Sequence, residues 1–125
     1  MNKRFQALVE RLKKEDMDYL LVTDPASISY LTDKMIYPGE RMLVLCVSAK
    51  GQHAFFLNRL FNVPETFDFE KIWFFDTDDY IKMLADYLQG AKKIGVDKIW
   101  PARFLLPLMN HLPQATFVNG SYAID

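Results

Sequence analysis

The sequence has a single cysteine, Cys46, so no disulfide can form within the chain, and the reading is of a protein kept in a reduced compartment. Histidine is scarce too. His53 and His111 are the two present, and neither has a second His, Cys or carboxylate at a metal-ligand spacing such as HExxH. Each is therefore expected to be a surface or half-buried side chain rather than a ligand. Charge of one sign is also lacking: 15 Lys and Arg face 16 Asp and Glu, for a net charge of −1 and a pI near 6.1. That balance gives no electrostatic reason to expect nucleic acid or an anionic membrane as partner. No apolar run approaches the ~20 residues that span a bilayer. The opening MNKRFQALVERLKKED is punctuated by charge and lacks the apolar core of a signal peptide, so a cytoplasmic location is expected.

Catalytic signatures are missing as well. There is no GxSxG elbow, no GxxxxGK[ST] loop and no GxGxxG; Gly95 stands alone. Asp76, Asp78 and Asp79 suggest calcium, but an EF-hand loop would continue with a ligand and Gly where Tyr80 and Ile81 stand. A helix dipole suffices to explain acidic residues at a helix start. Cys46 sits among Leu, Val and Met and is read as an inert core thiol. The aromatic stretch FDFEKIWFF holds one cation, Lys71, whereas nucleic-acid surfaces pair aromatics with many, so it is assigned to core or subunit contact. Asn119-Gly120-Ser121 fits the glycosylation pattern but is better read as a turn. The chain is expected to carry no nucleophile, metal cluster or phosphate loop of its own, and so not to be a complete enzyme.

What is present is the material for one domain. The 125 residues are 50% hydrophobic and 25% charged, and a chain of this size buries roughly two-thirds of its unfolded area. Residues 3–15 carry Phe5, Leu8, Val9 and Leu12 at helical spacing behind Asn2 as N-cap. DYLLVT, residues 18–23, is nearly continuous in apolar character and suits a strand covered on both faces. Asp24-Pro25 predicts a turn into a short helix over 26–31. Strands are expected over 41–48 and 53–58, joined as a hairpin through Ala49-Lys50-Gly51-Gln52 with Gly as the left-handed residue. KIWFFD, 71–76, and KIGVD, 93–97, read as strands. Between them 77–89 reads as a helix with Ile81, Leu84, Ala85 and Leu88 on one face, Asp78 and Asp79 in its first turn and Gly90 at its end. Residues 101–111 are expected to be helical but bent by Pro107, and 115–118 to form a last strand. This alternation, interrupted by one antiparallel hairpin, predicts a three-layer α/β/α domain with a mixed sheet of five to six strands.

At DPASISYLTDKMIYPGERMLVLCVSAKGQHAFFLNRL the order of elements resembles the N-terminal domain of the creatinase, prolidase and aminopeptidase P family, the pita-bread metallopeptidases. The later KKIGVD and the closing ATFVNGS are similar to the end of that domain, so the resemblance covers essentially the whole chain, residues 1–125. Two positions depart from it: Asp33 follows Tyr-Leu-Thr where the family often has Gly, and Ser27 stands where it often has Asn. The resemblance implies a ribonuclease H-like fold for this domain, and a division of labour. In this family a separate C-terminal domain holds two divalent metals, manganese, cobalt or zinc, and cleaves Xaa-Pro peptides, while the N-terminal domain covers that site and supports a homodimer. The parent protein is then most like an Xaa-Pro dipeptidase, with an aminopeptidase P or a creatinase as alternatives.

The resemblance also gives a role to the loop over residues 33–41, since in relatives the corresponding loop reaches a substrate pocket, often the neighbouring subunit's. On that reading Asp33 or Glu40 meets the ammonium end of a proline-containing dipeptide, Arg41 or Lys34 meets its carboxylate, and Tyr37 walls the site. The competing reading is an exposed Glu40–Arg41 pair contributing ~0–1 kcal/mol. Two other classes stay open: a metal-free pita-bread module that binds proteins, and an unrelated α/β binding domain.

Overall fold

Three central strands of this protein are buried on both faces, and that dictates a layer of helices on each side. The computed structural model describes residues 2–63 and 69–124. Its elements run α1 (Lys3–Lys14), β1 (Tyr19–Val22), α2 (Pro25–Thr32), β2 (Val44–Ser48), β3 (Ala54–Asn58), β4 (Glu70–Phe74), α3 (Tyr80–Tyr87), β5 (Lys93–Val96), α4 (Ala102–His111) and β6 (Thr116–Asn119), then one 3-10 turn at Ser121–Ala123. The strands form a six-stranded sheet in the order β4-β3-β2-β1-β5-β6. β1 pairs parallel with β5, β5 with β6 and β3 with β4, while β2 lies antiparallel to both β1 and β3. Five strands therefore point one way and β2 alone points back.

Because successive side chains leave opposite faces of a strand, each apolar run feeds two cores. Leu20, Val22, Leu45, Val47, Phe55 and Leu57 face Phe5, Leu8 and Leu12 of α1 and Ile28 and Leu31 of α2. Leu21, Val44, Cys46 and Phe56 face Leu84 and Leu88 beside α3, and Phe104 and Leu108 of α4. The three-layer expectation is met, with six strands.

Local chemistry moves several boundaries. Asn2 caps α1 by accepting from the Phe5 amide at 2.8 Å, and Asp24 caps α2 by accepting from Ala26 at 3.2 Å with Pro25 in the first turn. The expected helix over 77–89 begins only at Tyr80. Asp78 accepts from the Phe75 amide at 2.8 Å and closes a turn first, and Asp79 is the N-cap, accepting from Lys82 at 3.2 Å. Neither acid lies in the first helical turn, which corrects that reading. β2 starts at Val44 rather than at residue 41, because Arg41 turns aside to an acidic partner described below. Gly51 takes a φ of 85° in the hairpin, as expected of its left-handed residue. The aromatic stretch turns largely inward: Phe69 and Trp73 pack on the α1 side, Phe74 is buried, and Phe75 is exposed with Arg59 4.9 Å from its ring centroid. Phe67 and Asp68 lie outside the described residues.

Candidate functional site at the carboxyl edge of the sheet

Five strands with one direction bring their carboxyl ends to a single edge, where open α/β sheets ordinarily place their ligands. Here that edge collects Thr23 after β1, Asn58 ending β3, Asp76 after β4, Asp97 after β5 and Asn119 ending β6. Since β2 runs the other way, the loop that precedes it arrives at the same edge. Topology thus carries residues 33–41 to where the other strands end.

Two polar clusters frame the edge. In the first, Asp97 is only 5% exposed and, among the described residues, has no ion-pair partner; its carboxylate accepts from the Thr23 amide at 3.0 Å, the Thr23 hydroxyl at 3.3 Å and the Asp24 amide at 2.8 Å. Burial raises its pKa, and these hydrogen bonds oppose that rise without cancelling it. The cluster ties the end of β1 to the end of β5 and so fixes where α2 starts. Ser27 adds to it by donating its hydroxyl to Asp24 at 3.0 Å, which gives that departure from the family pattern a local role.

The second cluster holds the loop. Its first residue, Asp33, sits at φ 61° and ψ 20°, the left-handed region that ends helices. Asp tolerates this better than most residues. Its carboxylate pairs with Arg4 at 2.6 Å, and Arg4 also donates to the Tyr30 carbonyl at 2.5 Å. At the far end Arg41 pairs with Asp76 at 3.2 Å, so the expected exposed partner Glu40 is not the one it takes. Asp76 accepts in turn from Asn58 at 2.6 Å. The Glu40 carbonyl accepts from Arg103.

Between these ends Ile36 plugs the α1-side core at 1% exposure, while Tyr37 projects at 83%. The turn over residues 38–41 closes by an Arg41 amide bond to the Pro38 carbonyl at 3.1 Å. Gly39 supplies the positive φ of 60° at its first central position. Two adjoining hollows flank the turn. One, of about 300 Å³, is lined by Arg41, Asn58, Phe74, Asp76, Tyr80 and Arg103. The other, of about 210 Å³, is more apolar and is lined by Pro25, Pro38, Met42, Leu43, Ile99 and Pro101.

The structure thus brings Asp33, Lys34, Tyr37, Glu40 and Arg41 onto one loop, but it divides them. Asp33 and Arg41 are engaged within the domain. Among the described residues, no ion-pair partner reaches the side chains of Lys34 or Glu40. Sequence reasoning missed Arg4, Asn58, Asp97 and Arg103, and considered Asp76 only as a calcium ligand or helix-dipole partner. For Asn58 and Asp97 the usable signal was positional, since a polar residue at the end of a parallel strand belongs to the edge where α/β sheets ordinarily place their ligands; Arg4 and Arg103, on α1 and α4, carried no such signal.

The remaining sequence candidates are structural. His53 is buried rather than surface or half-buried, which corrects the expectation; its Nδ1 accepts from the Ser48 amide at 3.0 Å, and its ring stands edge-on to Phe5 with centroids 4.7 Å apart. Burial lowers its pKa. Cys46 is fully buried, and burial pushes its thiol pKa well up, away from reactivity. Asn119 accepts from the Ser121 amide and hydroxyl at 3.1 and 2.7 Å, the turn expected of Asn-Gly-Ser. Among the described residues no three His, Cys, Asp or Glu converge as a metal-holding group, and no helix is long and apolar enough to cross a membrane.

Comparison with known proteins agrees with this architecture. The profile of the family described as the Creatinase/Prolidase N-terminal domain matches residues 4–125. A proline dipeptidase structure from Streptococcus pneumoniae superposes with a TM-score of 0.85 at 25% identity, over 99% of this chain and 95% of that one. The N-terminal domain of an X-Pro dipeptidase from Streptococcus pyogenes gives 0.81 at 19% identity, over 99% and 98%. A prolidase from Thermococcus sibiricus gives 0.85 at 20% identity, over 99% of this chain but 36% of that longer one. The last two likenesses are of fold alone. No curated protein sequence matches this one.

Proposed function

Because the chain belongs to the Creatinase/Prolidase N-terminal domain family, we propose that residues 1–125 are the non-catalytic N-terminal domain of an Xaa-Pro dipeptidase, covering the active site of a C-terminal catalytic domain and selecting its substrate. The observation that carries the reading is the carboxyl-edge loop of a domain matched over residues 4–125, with its ends fastened, Tyr37 exposed and Glu40 unpaired among the described residues. Among the described residues, the carboxylates at this edge fit no dinuclear metal site. Asp76 is taken by Arg41 and Asn58, Asp97 by the amides that start α2, and Asp33 by Arg4. On the family resemblance, the two divalent metals, manganese, cobalt or zinc, are assigned to the catalytic domain and the parent protein is read as a homodimer, with a cytoplasmic location as the default.

Within the loop, Glu40 is the group for the ammonium end of a proline-containing dipeptide and Lys34 the group for its carboxylate, with Tyr37 as the wall. A dipeptide holds those two charges at a fixed separation, so opposite charges on a fastened loop select length. The test is Glu40→Gln and Lys34→Met in the full-length protein, assayed on an Xaa-Pro dipeptide. Loss of one charge-assisted contact is expected to lower kcat/KM by ~10-fold or more. Wild-type kcat/KM in both variants would remove the loop from substrate selection.

A further inference from the structure

Most of the loop's polar contacts reach far along the sequence. Arg41 meets Asp76 across 35 residues, Arg103 meets the Glu40 carbonyl across 63, and Arg4 meets Asp33 across 29. Resting on the substrate-loop reading above, we propose that Asp76 and Arg103 are positioning residues that set the geometry of the 33–41 loop, with Arg4 as their counterpart at its other end.

The contacts form a continuous chain. Asn58 is buried at the end of β3, and its side-chain carbonyl accepts from the Leu60 amide at 2.9 Å, which orients its amide nitrogen. That nitrogen donates to Asp76 at 2.6 Å. Thus oriented, the Asp76 carboxylate accepts from Arg41 Nε at 3.2 Å on each of its oxygens, and Nη2 lies 3.2 Å from one of them, so two nitrogens of one planar group meet the carboxylate where a lysine would bring one. Arg41 closes the turn at 38–41 through its own amide, and Arg103 holds the carbonyl of the residue before it. The ends of β3 and β4 and the first turn of α4 therefore converge on two adjacent loop residues, Glu40 and Arg41.

The chemistry of the arrangement separates two roles. An Arg41 bound to Asp76 is committed, so it orients Glu40 instead of competing for the substrate carboxylate. Each pair is half-exposed and contributes little to global stability. What such pairs supply is order, since a loop fastened at both ends presents its apex without first having to be arranged by the ligand.

The experiment uses the full-length protein with Asp76→Asn and Arg103→Met, and with Lys82→Met as control, because Lys82 forms an exposed ion pair with Asp86 at 2.9 Å on α3, away from the loop. Two quantities are read: hydrogen exchange at the Arg41 amide, and kcat and KM on an Xaa-Pro dipeptide. In Asp76→Asn, Arg41 exchange is expected to quicken by ~10-fold, the signature of a loop whose local opening has become easier. KM is expected to rise ~3- to 10-fold with kcat within ~2-fold, as when binding alone is weakened. Arg103→Met is expected to do the same more weakly, and Lys82→Met to change neither quantity. Unchanged Arg41 exchange in Asp76→Asn would overturn the clasp whatever the kinetics. Faster exchange with wild-type KM would overturn the positioning role; if Glu40→Gln still impaired turnover, the substrate reading would survive that result, and if it did not, both would fall.

Discussion

The β2–β3 hairpin and the 33–41 loop sit at opposite ends of β2 and are held by opposite means. The hairpin is local and apolar. Its strands are buried on both faces, and its histidine, His53, is fixed to an amide five residues away. The loop is distant and polar, tied to partners 29, 35 and 63 residues off through half-exposed charges. Burial stabilises the first far more than screened ion pairs stabilise the second. The difference teaches where each task resides: the hairpin keeps the domain folded, and the loop, whose one buried anchor is Ile36, can vary in chemistry at its polar positions because little of the fold depends on them.

The sharpest way to break this comparison is to truncate one side chain in each region. Phe55, in the middle of β3, is fully buried among Phe5, Leu45 and Val47 in the α1-side core. Phe55→Ala is expected to cost ~3–5 kcal/mol, from lost transfer energy and the cavity left behind. Tyr37→Ala, at the apex of the loop, is expected to fall within ~0.5 kcal/mol of wild type. Urea unfolding of the two variants measures both. A Tyr37→Ala loss approaching that of Phe55→Ala would show that the apex of the loop, and not Ile36 alone, is part of the core.

A smaller effect tests the polar element inside the apolar region. His53 accepts a hydrogen bond at Nδ1, so its folded form is neutral, and burial lowers its pKa below the ordinary 6.5. For a base with a depressed folded pKa, the unfolded state takes up its proton first as pH falls. The stability His53 provides is therefore fully present above about 6.5 and is lost as pH drops from there toward the folded value. The urea midpoint of wild type should thus fall between pH 7.5 and pH 5.5 by more than that of His53→Phe. Asp97, whose pKa is raised, responds in the opposite sense, so the difference between the two proteins isolates His53. Equal declines would show that His53 does not carry the pH dependence.

The same contrast explains what was legible in the sequence. The apolar period of α1, the continuous strands and the Gly51 hairpin are written in neighbouring residues, and they appear within a few positions of where they were expected. The starts of β2 and α3 were misplaced because Arg41 and Asp78 are drawn off by hydrogen bonds that periodicity does not register. The loop's residues were identifiable as a group from the family resemblance. Their partners were not, since nothing near Arg41 announces Asp76, and nothing near Asp33 announces Arg4. Asp97 escaped for the same reason: its three donors lie 73 and 74 residues away.

The smallest effect expected is also the most diagnostic of local conformation. Asp33 occupies a left-handed position, φ 61°, where the family often has Gly, and it offsets the strain of a Cβ there by pairing with Arg4 at 2.6 Å. Two substitutions separate those contributions. Asp33→Gly removes the pair and the strain together, and is expected to lie within ~0.5 kcal/mol of wild type. Asp33→Ala removes the pair but keeps a Cβ at positive φ, and is expected to cost ~1 kcal/mol. Thermal unfolding of both variants beside Arg4→Met orders the three. If Asp33→Ala proved no worse than Asp33→Gly, the backbone at the end of α2 would not be held left-handed, and the fastening of the loop at its first residue would rest on the ion pair alone.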